Sequence, residues 1–500
     1  MTVPQAAQDA AQEEAPGSLA RQVKGAVLWR SGSQIAGQLI TWASTFLVIR
    51  ALDPSDYGLV AMTQVVLTLL GLADGWGFAS ALVREERLEK QRIAQVLGLL
   101  LLLNGTLAAV QIAVAPLAAA YFRQPMVTDL LRVQALFYLA TPFLAVPVAL
   151  LSRRLEFKKQ GQVNLAAAAL SATTAVTCAY AGLGVWTLVA APGVYWLARA
   201  IGMSWAARLR VMPSFRFAGI GRVARFGGAM LGVQLLWFIQ SQADIFIGGR
   251  VLPVHELGIY TTALFLTQIL AAKFIPPLND VAFSAYSKIQ HREDVLPAAF
   301  LKSVRLIMLV TLPFYLGLAV TAEPLVRTFL GEKWLETIGI VPILSLAMPL
   351  MTLQILFSPA TNAKGRPGVH LRTALAGAIL MPAAFLVGIP YGKFGLACGW
   401  LAGTAAHLAV TAALSLPVLG IAKRSLAAAI APGLLAASVM AAAVWGLDQS
   451  LPPVAPAARL AVLVLFGVAT YASLLMLFAR PIVAEVLQLL GRGTPEPARA

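Results

Sequence analysis

The sequence predicts an all-α, polytopic membrane protein with about fourteen transmembrane helices, and three observations predict it. The 500 residues are 59% hydrophobic and only 12% charged, with a mean hydropathy of +0.78. Soluble domains carry roughly 25% charged residues, so most of this surface must face lipid. Apolar segments of about 20 residues, the length that spans a bilayer, recur along the whole chain. Lys and Arg are concentrated in alternate connections between them.

The apolar segments leave only short polar stretches between them. In chain order they occupy 28–50, 59–83, 94–121, 130–151, 163–182, 185–206, 227–251, 258–285, 299–322, 337–360, 372–390, 395–419, 426–446 and 459–479. Residues 1–24 read as a disordered cytoplasmic tail, and 481–500 as a second cytoplasmic tail. Even the longest connection, 207–225, has no room for a soluble catalytic or nucleotide-binding domain.

The basic residues of the connections predict the orientation of the chain. The even-numbered connections contain 20 Lys and Arg residues, and the odd-numbered ones contain 4. Cytoplasmic loops of membrane proteins carry this excess of positive charge. We therefore expect an inner-membrane protein with both termini in the cytoplasm. The net charge of +16 is explained by topology, and no nucleic-acid partner is expected.

The sequence also repeats itself after a shift of 200 residues. The shift aligns Gln34 with Gln234, Arg50 with Arg250, Leu52 with Leu252, Asp56 with Glu256 and Gly58 with Gly258. Six segments separate the two copies, so both copies face the same way. Transporters built from such parallel repeats bind substrate between the repeats. We expect a six-helix lobe at 25–210, a second at 211–420, and two additional helices within 421–480.

Polar residues inside two of the segments form stripes. At 100° per residue, the first segment places its polar residues within about 80° of arc, and the seventh within about 120°. The first stripe is Arg30, Gln34, Gln38, Thr41 and Thr45, and the second is Gln234, Trp237, Gln240, Ser241 and Asp244. We interpret both as cavity linings. The alternative is a hydrogen-bonded seam between neighbouring helices, which uses the same residue types.

Ionisable residues inside the second and eighth segments are a further candidate site, because charges at membrane depth are costly. Asp74 lies in the second segment and Lys273 in the eighth. The pair at 276–277 is Pro-Pro, which predicts a broken or kinked helix, with Asn279 and Asp280 just beyond it. We consider Asp74, Asp244 and Asp280 as candidates for binding a coupling ion. Alternatively, Asp74 and Lys273 form a structural pair.

Other chemistry is not indicated by the sequence. Cys178 and Cys398 have no metal-ligand spacing, the four histidines are scattered, and no phosphate-binding loop or hydrolase motif occurs. Asp53 and Asp56 belong to a turn with Pro54 and Gly58, which explains them better than catalysis does. We expect no metal, no cofactor and no enzymatic activity.

Several stretches of the sequence resemble one protein family. The run Arg50-Ala-Leu-Asp-Pro-Ser-Asp-Tyr-Gly-Leu-Val-Ala61, followed by Leu72-Ala-Asp-Gly75 and Ala81-Leu-Val83, is similar to the N-terminal signature of bacterial Wzx-type polysaccharide-export flippases. Gln240-Ser-Gln-Ala-Asp-Ile-Phe-Ile-Gly248, Leu257-Gly-Ile-Tyr260 and Gly331-Glu-Lys-Trp334 resemble later motifs of that family. The resemblance covers roughly residues 25–420 and points to the multidrug, oligosaccharidyl-lipid and polysaccharide exporter superfamily.

The resemblance implies a flippase that works by alternating access. Its substrate would be an oligosaccharide linked to polyprenyl pyrophosphate, taken from the cytoplasmic to the periplasmic leaflet for synthesis of a surface polysaccharide. Arg30 and Lys273 would hold the anionic headgroup, and the glutamines of the two stripes, with Trp237 and Asn279, would contact the sugars. Partners would be membrane lipid and the polysaccharide polymerase and export machinery.

Three alternatives remain open at this point. A cation-coupled multidrug antiporter would use the same scaffold; Trp76 and Trp237 allow it, whereas Arg30 and Lys273 disfavour it. A membrane glycosyltransferase or polymerase would need large outside loops with essential acids or arginines, and the outside loops here are short. A flippase for the peptidoglycan precursor would share the fold.

Overall fold

The computed structural model describes residues 16–85, 89–215, 221–478 and 480. Their regular secondary structure is helical, and no β-strand occurs among them. The predicted all-α class is therefore confirmed. The chain divides into two compact units, one ending at Gly232 and the other beginning at Val233.

The first unit contains the eight α-helices that the structure describes before residue 220. They are α1 (Pro16–Ala51), α2 (Pro54–Gly71), α3 (Trp76–Arg84), α4 (Lys90–Phe122), α5 (Met126–Ala135), α6 (Pro142–Arg153), α7 (Phe157–Tyr180) and α8 (Thr187–Ala206). A short 3-10 helix at Leu136–Ala140 joins α5 to α6, and another at Gly184–Trp186 precedes α8. An apolar cluster from α3, α4 and α6 forms part of the core of this unit.

The second unit begins within α9 (Gly221–Val251). The helices that follow are α10 (Val254–Lys288), α11 (Val295–Val320), α12 (Ala322–Phe329), α13 (Val341–Ala363), α14 (Pro367–Gly388), α15 (Gly392–Leu419), α16 (Lys423–Ser450) and α17 (Pro456–Phe478). A buried apolar cluster from α10, α11, α13, α15 and α16 forms a core here, with Phe300 and Phe357 in ring contact.

Eight helical stretches of the described residues are long and apolar enough to cross a membrane. They are Lys90–Phe122, Met126–Arg153, Phe157–Tyr180, Val295–Val320, Val341–Ala363, Pro367–Leu419, Lys423–Ser450 and Pro456–Phe478. The remaining predicted segments coincide with α1, α2 to α3, α8, α9 and α10. The chain is a multi-pass membrane protein, and the total of fourteen crossings stays a prediction.

The second predicted segment is interrupted, and the eighth is not. Between α2 and α3 the backbone leaves the helix at Gly75, whose φ is 83°. A Cβ at Gly75 would lie 2.7 Å from a methyl group of Leu103, so this position requires glycine. By contrast, α10 continues through 276–277, so the helix is not broken there; a kink at this position stays a prediction. A proline removes one helical hydrogen bond, and packed membrane helices tolerate that loss; Pro116 and Pro313 also lie inside continuous helices.

The internal repeat recurs at two turns that the sequence alignment did not include. A Cβ added to Gly184 in the first unit would lie 3.3 Å from Asp56 Oδ1, and one added to Gly392 in the second unit would lie 3.7 Å from Glu256 Oε2. Both glycines have positive φ, 51° and 70°. Asp56 and Glu256 are equivalent in the repeat, so each unit packs the same acidic position against a corresponding glycine turn.

Candidate functional site

A polar cavity of about 420 Å³ lies within the first unit. Its wall is formed mainly by α1, α7 and α8, and most of its side chains are amides, hydroxyls or a guanidinium. The lining residues are Ser33, Gln34, Gly37, Gln38, Thr41, Val148, Phe157, Gln160, Gly161, Asn164, Ala168, Tyr195 and Arg199. Gln34, Gln38 and Thr41 of the first stripe thus line a cavity within the first unit, and their predicted role in binding substrate between the lobes stays a prediction.

Small residues bring α1 and α7 close enough to share this wall. A Cβ at Gly161 of α7 would lie 2.6 Å from Ser33 Oγ of α1, and a Cβ at Gly37 would lie 3.9 Å from Ala168 Cβ. Residues four apart on a helix occupy the same face. Gln34 and Gln38 on α1 therefore open onto the same space as Gln160 and Asn164 on α7.

Arg199 supplies a positive charge to the cavity. Its Nε donates a hydrogen bond to Asn164 Oδ1 over 2.9 Å. Its guanidinium carbon also lies 5.2 Å from the ring centroid of Tyr195 and 5.7 Å from that of Trp196, which are cation–π distances. Within the described part of the chain, no carboxylate forms an ion pair with Arg199. Its charge is held in place without being neutralised.

Sequence reasoning missed Arg199, although a signal was present. Arg199 lies inside the predicted segment 185–206, where a charge is as costly as the carboxylate of Asp74. The first stripe, in turn, extends less far than predicted. Thr45 Oγ1 donates to Thr41 O over 2.8 Å within α1 and does not line the cavity. Arg30 belongs to α1, but its side chain lies outside the described part of the structure.

The stripe of the seventh segment is divided between two environments. Gln234 is exposed and Trp237 is 54% exposed. Gln240, by contrast, donates from Nε2 to Ala374 O of α14 over 3.0 Å. A Cβ at Gly377 would lie only 2.3 Å from Gln240 Oε1, so glycine is needed beside it. Gln240 thus belongs to a hydrogen-bonded seam between α9 and α14, the arrangement considered above as the alternative to a cavity.

Asp244 is the most enclosed ionisable residue among the predicted site residues, with 0% of its surface exposed. Oδ2 accepts hydrogen bonds from Tyr260 Oη over 2.7 Å and from Trp400 Nε1 over 2.9 Å, and Oδ1 accepts one from the N–H of Ile245 over 2.8 Å. Hard cations require several oxygen ligands, whereas these neighbours are donors. Asp244 therefore acts as a common acceptor that joins α9, α10 and α15. Trp400 was not singled out by the sequence.

Two further predicted site residues, Asp74 and Asn279, lie in less enclosed positions. Asp74 is half-buried in the break between α2 and α3, where Asn104 Nδ2 donates to its carbonyl oxygen over 3.0 Å. Asn279 is half-buried on α10, and its Oδ1 has no hydrogen-bond partner among the described residues. The side chains of Lys273 and Asp280 lie outside the described residues, so the structure does not test a pair between Asp74 and Lys273.

Comparison with known proteins gives consistent results. A family model described as polysaccharide biosynthesis protein matches residues 47–339. The chain is 25% identical over 363 residues to the succinoglycan biosynthesis transport protein ExoT of Rhizobium meliloti (strain 1021), covering 71% of this chain and 72% of that protein. It is 22% identical over 361 residues to the lipopolysaccharide biosynthesis protein WzxC of Escherichia coli (strain K12), covering 71% and 73%.

Solved structures show the same fold at low sequence identity. The lipid II flippase MurJ in an inward closed conformation matches with a TM-score of 0.73 at 13% identity, covering 91% of this chain and 100% of that one. An inward-facing multidrug resistance MATE family transporter matches with a TM-score of 0.57 at 14% identity, covering 78% and 95%. Because the family model spans more than half of its length, the chain belongs to the polysaccharide biosynthesis protein family, and it adopts the transporter fold of MurJ.

Proposed function

We propose that this protein is a flippase that moves an oligosaccharide linked to polyprenyl pyrophosphate from the cytoplasmic to the periplasmic leaflet of the bacterial inner membrane. The observation that carries the proposal is the cavity in which Arg199 stands among the amides of Gln34, Gln38, Gln160 and Asn164. Membership in the polysaccharide biosynthesis family and the transport function named for ExoT support it.

The cavity suits the two chemical parts of such a headgroup. An arginine has five N–H donors, and Arg199 uses Nε for Asn164, which leaves the outer nitrogens for a phosphate oxygen. An amide both donates and accepts, so the side chains of Gln34 and Gln38 match sugar hydroxyl groups. The volume of about 420 Å³ lies in the range of ligand sites. The polyprenyl chain remains in lipid. Arg30 and Lys273 are two further cations within predicted membrane segments, and in our proposal they attract the anionic headgroup.

Alternating access follows from the repeat. In our proposal, residues 25–210 and 211–420 form two lobes that rock against each other, and the helices within 421–480 stand outside the repeat. We assign the coupling ion to Asp74 in preference to Asp280 or Asp244. Asp74 lies in a helix break, where backbone carbonyls become available as ligands, whereas the oxygens of Asp244 already accept hydrogen bonds from three donors.

The proposed transport involves no catalysis. It implies partner proteins that act on the transported glycan. The flipped glycan must be consumed at the periplasmic face, so we expect a polysaccharide polymerase and an export machinery to act next.

Both termini lie in the cytoplasm in this scheme. The variants His255→Cys and Arg366→Cys, each made in a chain in which Cys178 and Cys398 have been replaced, test the orientation of the protein in the membrane. A membrane-impermeant thiol reagent is expected to label the cysteine at 255 in intact spheroplasts, and the cysteine at 366 only after lysis.

The decisive experiment is deletion of the gene with complementation by wild-type and Arg199→Gln chains. Deletion is expected to strand polyprenyl-linked glycan in the inner leaflet and to abolish surface polymer. The wild-type chain restores polymer, whereas Arg199→Gln, expressed at an equal level, does not. Unchanged polymer combined with reduced drug tolerance would overturn the proposal in favour of a multidrug antiporter, which the likeness to the MATE fold also accommodates.

A further inference from the structure

A second cavity of about 890 Å³ lies in the first unit, apart from the one described above. It opens between the start of α7, the end of α8 and the connection that follows α8. Its lining residues are Lys159, Gln162, Val163, Ala166, Ser204, Trp205, Ala206, Arg208, Leu209 and Arg210. This is the end of the unit that carries the cationic connections, which the proposed orientation places in the cytoplasm.

The connection at 207–215, called the strap below, is fixed against α4. The N–H of Ser214 donates to Ala94 O of α4 over 2.8 Å. A Cβ at Gly98 would lie 2.2 Å from Ser214 O, a distance that no side chain permits. The strap therefore depends on glycine at 98 for its close approach to α4, and its side chains have defined positions.

The strap directs its apolar and basic residues to opposite sides. Leu209 and Val211 pack on the apolar cluster of α3, α4 and α6. Arg210 lies between them in the extended part of the strap, where successive side chains alternate in direction, so it points away from that core. Arg210 and Arg208 are both exposed. Arg208 also ends α8 in the left-handed conformation, with φ of 52°, a position usually occupied by glycine or asparagine. This backbone conformation fixes the point from which the Arg208 side chain leaves the chain.

The charges of this cavity are mostly uncompensated. Lys159 Nζ lies 2.7 Å from Glu156 Oε2, which partly offsets its charge. Within the described residues, neither Arg208 nor Arg210 forms an ion pair. Trp205, which lines the cavity, has 83% of its surface exposed, and Met212, two residues after Arg210 in the strap, has 87%. Tryptophan is enriched at the headgroup level of membranes, and arginine forks bind phosphate oxygens.

We propose that this cavity binds the phosphate of an anionic phospholipid of the cytoplasmic leaflet. Arg208 and Arg210 bind the phosphate oxygens, Lys159 adds a third cation, and Trp205 and Met212 contact the first methylene groups of the acyl chains. Such a bound lipid would hold the strap and the ends of α7 and α8 together. The proposal does not depend on which substrate the protein transports.

The test measures thermal unfolding of the purified full-length protein in detergent as phosphatidylglycerol or phosphatidylcholine is added. Phosphatidylglycerol is expected to raise the unfolding temperature of the wild type, and phosphatidylcholine is not. In Arg208→Gln/Arg210→Gln, the phosphatidylglycerol concentration for half of the effect should rise roughly tenfold or more, because charge-assisted hydrogen bonds are lost. Lys423→Gln/Arg424→Gln, which removes two exposed cations from the start of α16, should respond as the wild type does.

A second pair of variants tests the position of the strap. Gly98→Ala forces Ser214 away from α4 and should weaken the response, whereas Gly105→Ala in the same helix meets open space and should not. The proposal is overturned if the double arginine variant or Gly98→Ala responds like the wild type, or if phosphatidylcholine stabilises equally. It is also overturned if only polyprenyl pyrophosphate stabilises the protein, since the cavity would then belong to the transported substrate.

Discussion

Arg199 of α8 and Asn164 of α7 are joined across the wall of the polar cavity by a hydrogen bond of 2.9 Å from Nε to Oδ1. The bond fixes the guanidinium plane, and the rings of Tyr195 and Trp196 flank it. The arginine is thereby oriented before any ligand arrives. Preorganisation of this kind reduces the entropy cost of binding, and it makes Arg199 the most informative residue to change.

Arg199→Gln should reduce surface polymer by at least roughly tenfold, because an uncompensated charge that pairs with a phosphate is lost. Arg199→Lys should retain partial activity, since the charge remains but the planar fork does not. Surface polymer and lipid-linked glycan are measured in the complemented deletion strain. Arg132→Gln removes an exposed cation elsewhere in the first unit and serves as the control. Full activity of Arg199→Gln would contradict the assignment.

Asp244→Ala should lower the free energy of unfolding, because Tyr260 and Trp400 would become buried donors without an acceptor. Each such group costs about 1–3 kcal/mol in soluble proteins, and somewhat less inside membranes. Tyr260→Phe removes the donating hydroxyl itself, so no buried donor is left without an acceptor. It should lower the free energy of unfolding by less than Asp244→Ala does. Thermal unfolding in detergent measures both variants. If Asp244→Ala unfolds like the wild type but fails to export glycan, the residue has a coupling role instead of a structural one.

Gly75→Ala should destabilise the first unit by roughly 2–4 kcal/mol, since it combines a left-handed backbone with an overpacked contact to Leu100 and Leu103. Gly77→Ala is the matched control two residues away. Its added methyl group meets open space within α3, where alanine is the better helix former. The yield of folded protein and its thermal unfolding distinguish the two variants. Equal behaviour of both would show that the break is not held by glycine.

Glu336 contacts His255 at the start of α10 and Lys393 at the start of α15, and its effect on stability should depend on pH. The ammonium of Lys393 lowers the pKa of the Glu336 carboxyl below its usual 4.5, and His255, whose Nε2 lies 2.9 Å away, lowers it further. A lowered folded-state pKa stabilises the protein above the unfolded value, and that contribution is lost as the pH falls through the folded value.

Glu336→Gln should therefore unfold at a slightly lower temperature than the wild type at pH 6 to 7. The difference should shrink as the pH falls below about 4.5. Half-exposed ion pairs contribute little, about 0–1 kcal/mol, so the shift is small. Thermal unfolding of both proteins across this pH range provides the measurement. A difference that grows towards acid pH would contradict the assignment of this ion pair.

The sequence predicted those features that depend on periodicity and on bulk composition. Helix positions, the all-α class and the polar face of α1 follow from the spacing of apolar residues, and the structure agrees. Whether a polar face lines a cavity or forms a hydrogen-bonded seam depends on the neighbouring helix. The spacing of residues along one helix does not identify that neighbour. Gln38 and Gln240 are both glutamines on polar faces, yet one lines a cavity and the other donates to Ala374.

The position of the helix break also depends on contacts between helices. Pro-Pro at 276–277 is a local signal, and a packed helix absorbs it. The break at Gly75 requires a positive φ together with the side chains of Leu100 and Leu103 from another helix, and these come together only in the folded chain. Arg199 was recognisable in principle, since it interrupts an apolar segment, but its bond to Asn164 was not.

The amides of the polar cavity have an evolutionary consequence. Gln34 and Gln38 each offer a donor and an acceptor, and rotation of the amide exchanges the two. Such a wall places few stereochemical demands on a sugar hydroxyl, and in the proposed function the phosphate contact through Arg199 is the same for every glycan. If the proposed function holds, a bacterial lineage that changes its surface sugars can keep the same carrier.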